Sequence, residues 1–520
     1  MTSHAPSSSG GHAAVLAAVC LAAIVLPMSF SGGAVATPAI GRDLGGSAAA
    51  LTWITNAFML TFGGSLMAAG TLADTFGRKR AFVAGVAAFT IISLLLACAS
   101  SILLLDLLRA AQGLAAAATL AGGTAALAQD VEGHARTRAF SLLGTTFGLG
   151  LAFGPLLAGA LIEAFGWRAV FLSTALVGAV ALAFGARRMR DSRDPDARGL
   201  DWVGTISFTA MLSLFTWAVI EAPSRGWRDP LVAGLLMAAL VLLVIFIVAA
   251  RRVARPMLDL SLFRYPRFVG VQMLPVATCA CYIVLLVLLP LRLIGIEGFR
   301  EIDAGWLMVA LSVPMLVVPS LAAALTRIAP AGLVSAVGLL VAAAGLVWLS
   351  AIDPGGPVLH VIGPLLLIGC GAGLPWGLMD GLAISVVPTE RAGMATGIFN
   401  TIRVAGEGIA LAIAGAVLAG LSAQQLRAAL PGSVASSAIT TAAARLATGD
   451  LGHAAELLPP SVRPLLIASY ATAFQTLLWV LAAVTVIAAV VVLACLRPPQ
   501  VSADDRGAGA LDASQASQAS

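Results

Sequence analysis

Charge is scarce in this chain. Of its 520 residues only 11% are Asp, Glu, Lys or Arg, and Lys79 is the sole lysine. A soluble protein carries roughly 25% charged residues, so water is excluded as the main solvent. The six cysteines fall within or at the ends of apolar runs, and Cys279 and Cys281 project from different faces of a helix. That excludes a disulfide framework. His4, His12, His134, His360 and His453 are scattered through tails and loops, which excludes a zinc constellation. No Walker sequence is present, and Gly369-x-Gly371-x-Gly373 lies inside an apolar run with no strand before it, so direct ATP drive is excluded as well. No nucleophile, base and orienting group stand together, and the chain is not expected to be an enzyme.

What fills the chain instead is apolar: 59% of residues are hydrophobic and the mean hydropathy is +0.98. A spanning helix needs about 20 apolar residues. Fourteen candidates begin near residues 13, 51, 81, 102, 139, 167, 202, 230, 269, 304, 331, 360, 393 and 465, which predicts an all-α polytopic membrane protein. Basic residues collect in cytoplasmic loops. With the N-terminus inside, nineteen of them fall on the inner side and nine on the outer, while Arg109 and Arg403 remain within helices. Both termini are then cytoplasmic, and the net charge of +5 reflects topology and contact with anionic lipid rather than nucleic acid. Ala34-Val35-Ala36 has the form of a secretory cleavage site. No Lys or Arg precedes His12, however, and the apolar run is too long for a leader, so this stretch is read as the first span.

Between the second and third spans lies Gly70-Thr71-Leu72-Ala73-Asp74-Thr75-Phe76-Gly77-Arg78-Lys79-Arg80. Its glycines permit a tight turn and close packing, Asp74 can face a helix N-terminus, and Arg78 can pair with a carboxylate. The spacing resembles the loop signature of the major facilitator superfamily. That resemblance implies a transporter whose cytoplasmic gate is formed by Gly70, Asp74, Gly77 and Arg78 together with Asp130. Asp201-Trp202-x-Gly204, Gly226-Trp227 and the run from Arg255 to Arg264 further resemble the fourteen-helix drug:proton antiporters of the family, over most of residues 13–495. The implied organisation is a tail at 1–12, an N-terminal six-helix bundle at 13–187, and basic loops at 188–268 carrying two inserted spans (202–250). A C-terminal six-helix bundle follows at 269–495, with an external loop at 421–464, and then a disordered Ser/Gln/Ala-rich tail at 496–520.

The fifth span holds Gly144, Gly148, Gly150, Gly154, Pro155 and Gly159. Gly150-x-x-x-Gly154 allows close helix approach and Pro155 bends the helix. Packing alone accounts for that pattern, yet Gly154 to Gly159, followed by Trp167-Arg168 and Phe171, resembles the family's antiporter signature and implies export. In the fourth span Arg109 lies in the membrane, where a charge costs at least ~2.5 kcal/mol. Asp106, three residues earlier, is within reach for a local ion pair; the resemblance, carried by Arg109 and Gln112-Gly113, implies proton transfer instead.

Asp380 sits beside Gly369, Gly373, Gly377 and Gly381, a flat face for a neighbouring helix or a cavity. Asn400, Arg403 and Glu407 share one face of the thirteenth span. At ~1.5 Å per residue, Asp380 lies about 10 Å and Glu407 about 20 Å from the cytoplasmic end, and two carboxylates at different depths could relay a proton. The alternative is that Arg403 and Glu407 neutralise one another as an i,i+4 pair and only fix packing. Glu407 stands where many relatives carry a small residue. Ser29, nine positions before Pro38, stands where the fourteen-helix antiporters commonly carry an acid, and the second-half copy of the loop signature keeps Arg327 without a matching aspartate. The resemblance implies a proton-coupled antiporter that exports a small organic compound through a bacterial cytoplasmic membrane as a monomer, with protons and lipid as its other partners and no cofactor. An uptake symporter or uniporter is the alternative, with a membrane-embedded enzyme or receptor further off.

Overall fold

The computed structural model describes residues 9–130, 133–189, 192–193, 201–253, 260–352, 358–386, 392–430, 434–459 and 462–496. Both predicted terminal tails, most of the first basic loop, and residues 254–259 of the second, with the Arg255–Asp259 part of the motif there, lie wholly or largely outside the described residues. Among those described, regular structure is helical. The first half holds α1 (Ser9–Leu44), α2 (Ala48–Phe76), α3 (Arg78–Ala97), α4 (Ile102–Asp130), α5 (Gly133–Phe165) and α6 (Arg168–Arg188). Then come α7 (Trp202–Arg225) and α8 (Pro230–Arg252). In the second half α9 (Pro266–Thr278) and α10 (Val284–Pro290) are joined by π-helical turns into one rod, Pro266–Ile296. It is followed by α11 (Glu301–Ser312), α12 (Pro314–Leu325), α13 (Ala331–Ser350), α14 (Val358–Ser385) and α15 (Ala392–Ala429), the short α16 (Ser436–Ala447) and α17 (Leu451–Glu456), and α18 (Arg463–Cys495).

Local chemistry sets several helix starts. Ser47 Oγ accepts from the Ala50 N–H at 3.2 Å at the head of α2, Asp201 Oδ1 from Gly204 at 2.8 Å before α7, and Asp229 Oδ1 from Leu231 at 2.9 Å before α8, where Pro230 fills the first turn. Gly77, at φ +118°, separates α2 from α3 with a backbone geometry that side chains resist.

Thirteen of the described helical rods are long and apolar enough to cross a membrane. The other long helix, α2, falls short because Thr52, Asn56, Thr61, Ser65 and Asp74 dilute its apolar character. Its neighbours explain this: it packs against α4, α7 and α15, inside the protein. In the first half α1 lies on α5 and α6, and α3 on α4 and α6; in the second, α13 lies on α14 and α18, and α12 on α14. The halves meet where α2 faces α15 and where α5 faces α11. At the first of these seams a Cβ on Gly63 would lie 2.3 Å from the backbone nitrogen of Ala405, so the two backbones touch. The inserted helix α7 packs on both α2 and α15, with α8 outside it. Of the spans, α8 is the most apolar and the least buried in protein, a helix made for lipid contact. Residues 421–464 carry the end of α15 and both short helices, and α16 buries Ile439, Ala442, Ala443 and Leu446 against the body.

Candidate functional site

Three groups of polar residues are held within or at the ends of this apolar framework. At the α2–α3 hinge, Arg78 Nε donates to Asp74 Oδ1 at 2.8 Å, and the Arg78 N–H donates to the Ser192 carbonyl at 2.8 Å. The expected carboxylate partner of Arg78 is thus Asp74 itself, one turn back. Gly77 supplies the turn, whereas a Cβ on Gly70 would meet nothing within 4 Å, so Gly70 is not a close-packing glycine. Asp130 ends α4, half-buried, and two turns before it Gly122 packs on the Arg78 carbonyl.

The second group surrounds Arg109, which is fully buried. Its Nε donates to the Ile54 carbonyl at 2.8 Å, and its Nη1 donates to Gln112 Oε1 at 2.7 Å and Ser29 Oγ at 3.1 Å. Gln112 Nε2 donates onward to Ser93 Oγ at 2.8 Å, and the Phe58 ring lies 4.5 Å from the guanidinium carbon. The local ion pair with Asp106 does not form: among the described residues Arg109 has no carboxylate partner, and Asp106 Oδ1 is buried without a hydrogen bond. The reason is geometric, since the guanidinium is drawn across to α1 and α2 by neutral acceptors. Ser29, in the position where an acid was expected from the resemblance, is one of them. Ser93 and Ile54 were not foreseen, because nothing in sequence links positions on separate helices.

The third group joins α14 and α15. Arg403 Nη1 lies 3.2 Å from Asp380 Oδ1, and its guanidinium carbon stands 5.6 Å from the Phe399 ring. Arg403 therefore pairs across helices rather than with Glu407, so the alternative of an i,i+4 neutralisation is not what the structure shows. Glu407 is 8% exposed and has no ion pair among the described residues. Asn400 lies half-buried one turn before Arg403. Because Gly63 of α2 abuts Ala405, between Arg403 and Glu407, this charged strip lies at the seam between the halves. The glycine face of α14 is occupied by a helix: a Cβ on Gly369 would be 2.1 Å from the Leu311 carbonyl oxygen, and one on Gly377 2.5 Å from that of Pro319. Gly381 faces open space.

Of the α5 glycines singled out, Gly150, Gly154 and Gly159 are close-packing positions, whereas a Cβ on Gly144 would meet nothing within 4 Å and one on Gly148 only an ordinary contact at 3.5 Å. A Cβ on Gly150 would lie 2.3 Å from the Ile24 carbonyl oxygen and one on Gly154 2.2 Å from Ser31 Oγ, both on α1. Gly159 is held equally tightly against the Glu301 carbonyl of α11, and the Pro155 carbonyl lies beside Gly305. At that end of the molecule sequence reasoning missed a set of polar links. Arg42 pairs with Glu301, and Arg300 lies 3.0 Å from Glu163, so both pairs tie the first half to the second. Asp43 accepts from Trp167 Nε1 at 2.9 Å and Arg168 Nη1 at 2.7 Å, while Arg445 in the last turn of α16 donates to the Gly46 carbonyl at 2.6 Å. These links clamp the end opposite the Asp74 hinge; the Trp167-Arg168 dipeptide was the only sequence signal for it.

Two helical halves with buried Glu407, half-buried Arg403 and exposed Asp380 at their seam, in a framework of membrane-length rods, define a multi-pass membrane transporter. The family model of the Major Facilitator Superfamily matches residues 19–411, and the chain belongs to that family. It is 32% identical over 390 residues to the multidrug resistance protein Stp of Mycobacterium tuberculosis, covering 74% of this chain and 72% of that protein. It is 33% identical to the cephamycin export protein CmcT of Amycolatopsis lactamdurans (76% and 83% covered), and 34% identical to the puromycin resistance protein pur8 of Streptomyces alboniger (75% and 79%). Among solved structures, a bacterial homolog of the human lysosomal transporter Spinster, inward-facing and unoccupied, matches 95% of this chain and 100% of its own with a TM-score of 0.61 at 16% identity. A POT family transporter matches 92% and 96% with a TM-score of 0.61 at 12% identity. These last two likenesses establish the fold. With bacterial relatives of this kind, the protein resides in the cell membrane.

Proposed function

We propose that the protein is a proton-coupled antiporter that exports a small organic compound by alternating access, with fourteen spans and both termini cytoplasmic. The observation that carries this reading is the strip at the seam: Arg403 committed to Asp380, and Glu407 one turn on, buried and without a cation of its own. Exchange of Arg403 between the two carboxylates would couple the charge on one to the charge on the other, and the seam would move as the halves rock. The bundles at 13–187 and 269–495 would be the rocking bodies, with residues 202–250 as the inserted pair. Arg109, with Asp106 and Gln112, would serve the proton path in the first half, and Asp74, Arg78 and Asp130, with Gly70 and Gly77, would hold one gate state. Relatives named for export and for drug resistance support the outward direction and an organic cargo. A membrane potential supplies ~2.3 kcal/mol per charge per 100 mV, so one inward proton drives useful export without a cofactor, and one chain suffices.

In proteoliposomes carrying an imposed pH gradient, Asp380→Asn and Glu407→Gln should each abolish gradient-driven flux of a fluorescent test drug while the protein elutes and melts as the wild type does. Undiminished flux in both variants would refute the relay. Reversing the gradient separates export from uptake.

A further inference from the structure

The short helices α16 and α17 lie across the end of the seam that the clamp closes. Ala444, Ala447 and Thr448 face the same small recess as Thr37 and Thr52 of the first half and Leu291 and Leu411 of the second, so this pair roofs the line along which the halves meet.

Its attachments to the two halves are unlike. Toward the second half the fit is apolar and backbone-close. Helix α16 packs chiefly along α15 and also touches α18, α17 packs on α18, and Ile439, Ala442, Ala443 and Leu446 are buried beneath α16. Between the short helices Gly449, at φ +75°, is seated on the Pro266–Ile296 rod. A Cβ on Gly295 would lie 2.0 Å from the Gly449 carbonyl oxygen, and one on Gly449 would lie 2.7 Å from that of Leu291. Interfaces packed this closely move as one body, because sliding them opens voids.

Toward the first half α16 only brushes α2, and the polar contact there is a hydrogen bond from Arg445 Nη1 to the Gly46 carbonyl, in the turn between α1 and α2, at 2.6 Å. Asp450 holds the arginine from the side of the lid. Its Oδ2 accepts from the same Nη1 at 2.9 Å, its N–H donates to the Arg445 carbonyl at 2.9 Å, and its Oδ1 accepts from the His453 N–H at 3.2 Å. Such a bond can break and re-form as a unit while everything behind it stays packed.

We propose that α16 and α17 form an outer lid that travels with the second half and is latched to the first by Arg445. When the halves part at this end, the lid gives up its bond to Gly46 and keeps its seat on Gly295 and α15. The lid goes beyond the export reading, since it must lift for cargo moving in either direction and its position can be measured without a gradient.

The test places nitroxide pairs on the purified full chain, with Cys370 and Cys495 changed to Ala, and reads distances by double electron–electron resonance. One pair joins Thr441→Cys, on the exposed side of α16, to the native, exposed Cys98 of the first half. The other joins Thr441→Cys to Ala351→Cys, exposed at the end of α13 in the second half, with Cys98 changed to Ser. Arg445→Gln should raise the ratio of separated to latched populations in the first pair by at least about tenfold, the effect of one charged hydrogen bond, and leave the second pair unchanged. A second variant spares the lid itself: Gly46→Ala strains the φ +104° turn that presents the acceptor, keeps the Arg445–Asp450 pair, and should lengthen the first distance in the same way. An unaltered first pair in both variants would show a fixed cap. Broadening of the second pair in both would show a fraying loop, and lengthening of the second pair with a constant first pair would show a lid carried by the first half. Each of these three results would overturn the proposal.

Discussion

Arg109 shows how a buried cation is held here by neutral acceptors. The planar guanidinium serves Ile54 from one edge and Ser29 with Gln112 from another, a geometry a lysine ammonium cannot reproduce. Arg109→Lys is therefore expected to lose about 1.5–3 kcal/mol for each charged hydrogen bond without a substitute, seen as a lower melting temperature in detergent, while Ser29→Ala should cost about 0.5–1.5 kcal/mol. Equal melting of Arg109→Lys and wild type would contradict this account. At this scale the sequence was legible in kind and not in partner. Arg109, Asp380, Arg403 and Glu407 stand out because ionisable groups are rare in apolar runs, but spacing suggested Asp106 for the first arginine and Glu407 for the second. Both local choices lost to tertiary ones: an acceptor set on α1 and α2 for Arg109, and a carboxylate on α14 for Arg403. Helical periodicity places residues on a face; it does not say which helix that face meets.

At the scale of the element, contact between helices depends on missing side chains. Gly63→Leu should force α2 from α15, since even its Cβ would fall 2.3 Å from Ala405 nitrogen; the expected result is loss of drug flux with a marked drop in melting temperature. Gly70→Ala, one helix end away in open space, should be neutral or gain up to about 1 kcal/mol from helix propensity, so a damaging Gly70→Ala would point to a role beyond packing. The clamp makes a different prediction. Exposed ion pairs contribute about 0.2–1 kcal/mol each, so removing both cross-half pairs with Arg42→Gln and Arg300→Gln should shift the conformational balance by up to about thirtyfold. Spin-label distances across the Arg42–Glu301 end should report the shift; an unaltered distribution would show the clamp to be inert. The caps at Ser47, Asp201 and Asp229 lie just before apolar runs and make those boundaries readable. The clamp was not readable, because Arg42 and Glu301 stand 259 positions apart.

For the whole molecule, lipid as solvent made most of the architecture legible: all fourteen runs read as spans are long helices, and among the described residues thirteen rods are long and apolar enough to cross a membrane, α2, the run beginning near 51, falling short. The exception, α2, is instructive, for a helix wrapped in protein needs no lipid-compatible surface and can spend its positions on threonine, asparagine and glycine. α8 is its opposite. Leu240 on that helix is 54% exposed, and Leu240→Arg should cost about 2.5–3.5 kcal/mol of insertion free energy, measurable as failed membrane integration; a matching Leu→Arg change at Leu511, beyond the last span, should integrate normally. The location of α7 on both α2 and α15 was not legible, because composition marks an inserted pair without saying which side of the seam it covers.

The half-buried Lys79, two residues beyond the turn at Gly77, is the chain's only lysine. An amine-directed dye applied to a protein with a blocked N-terminal amine would thus attach at a single site, on the hinge opposite the clamp. The native polypeptide already contains a stoichiometric reporter position, and hinge movement can be followed optically without engineering a single substitution.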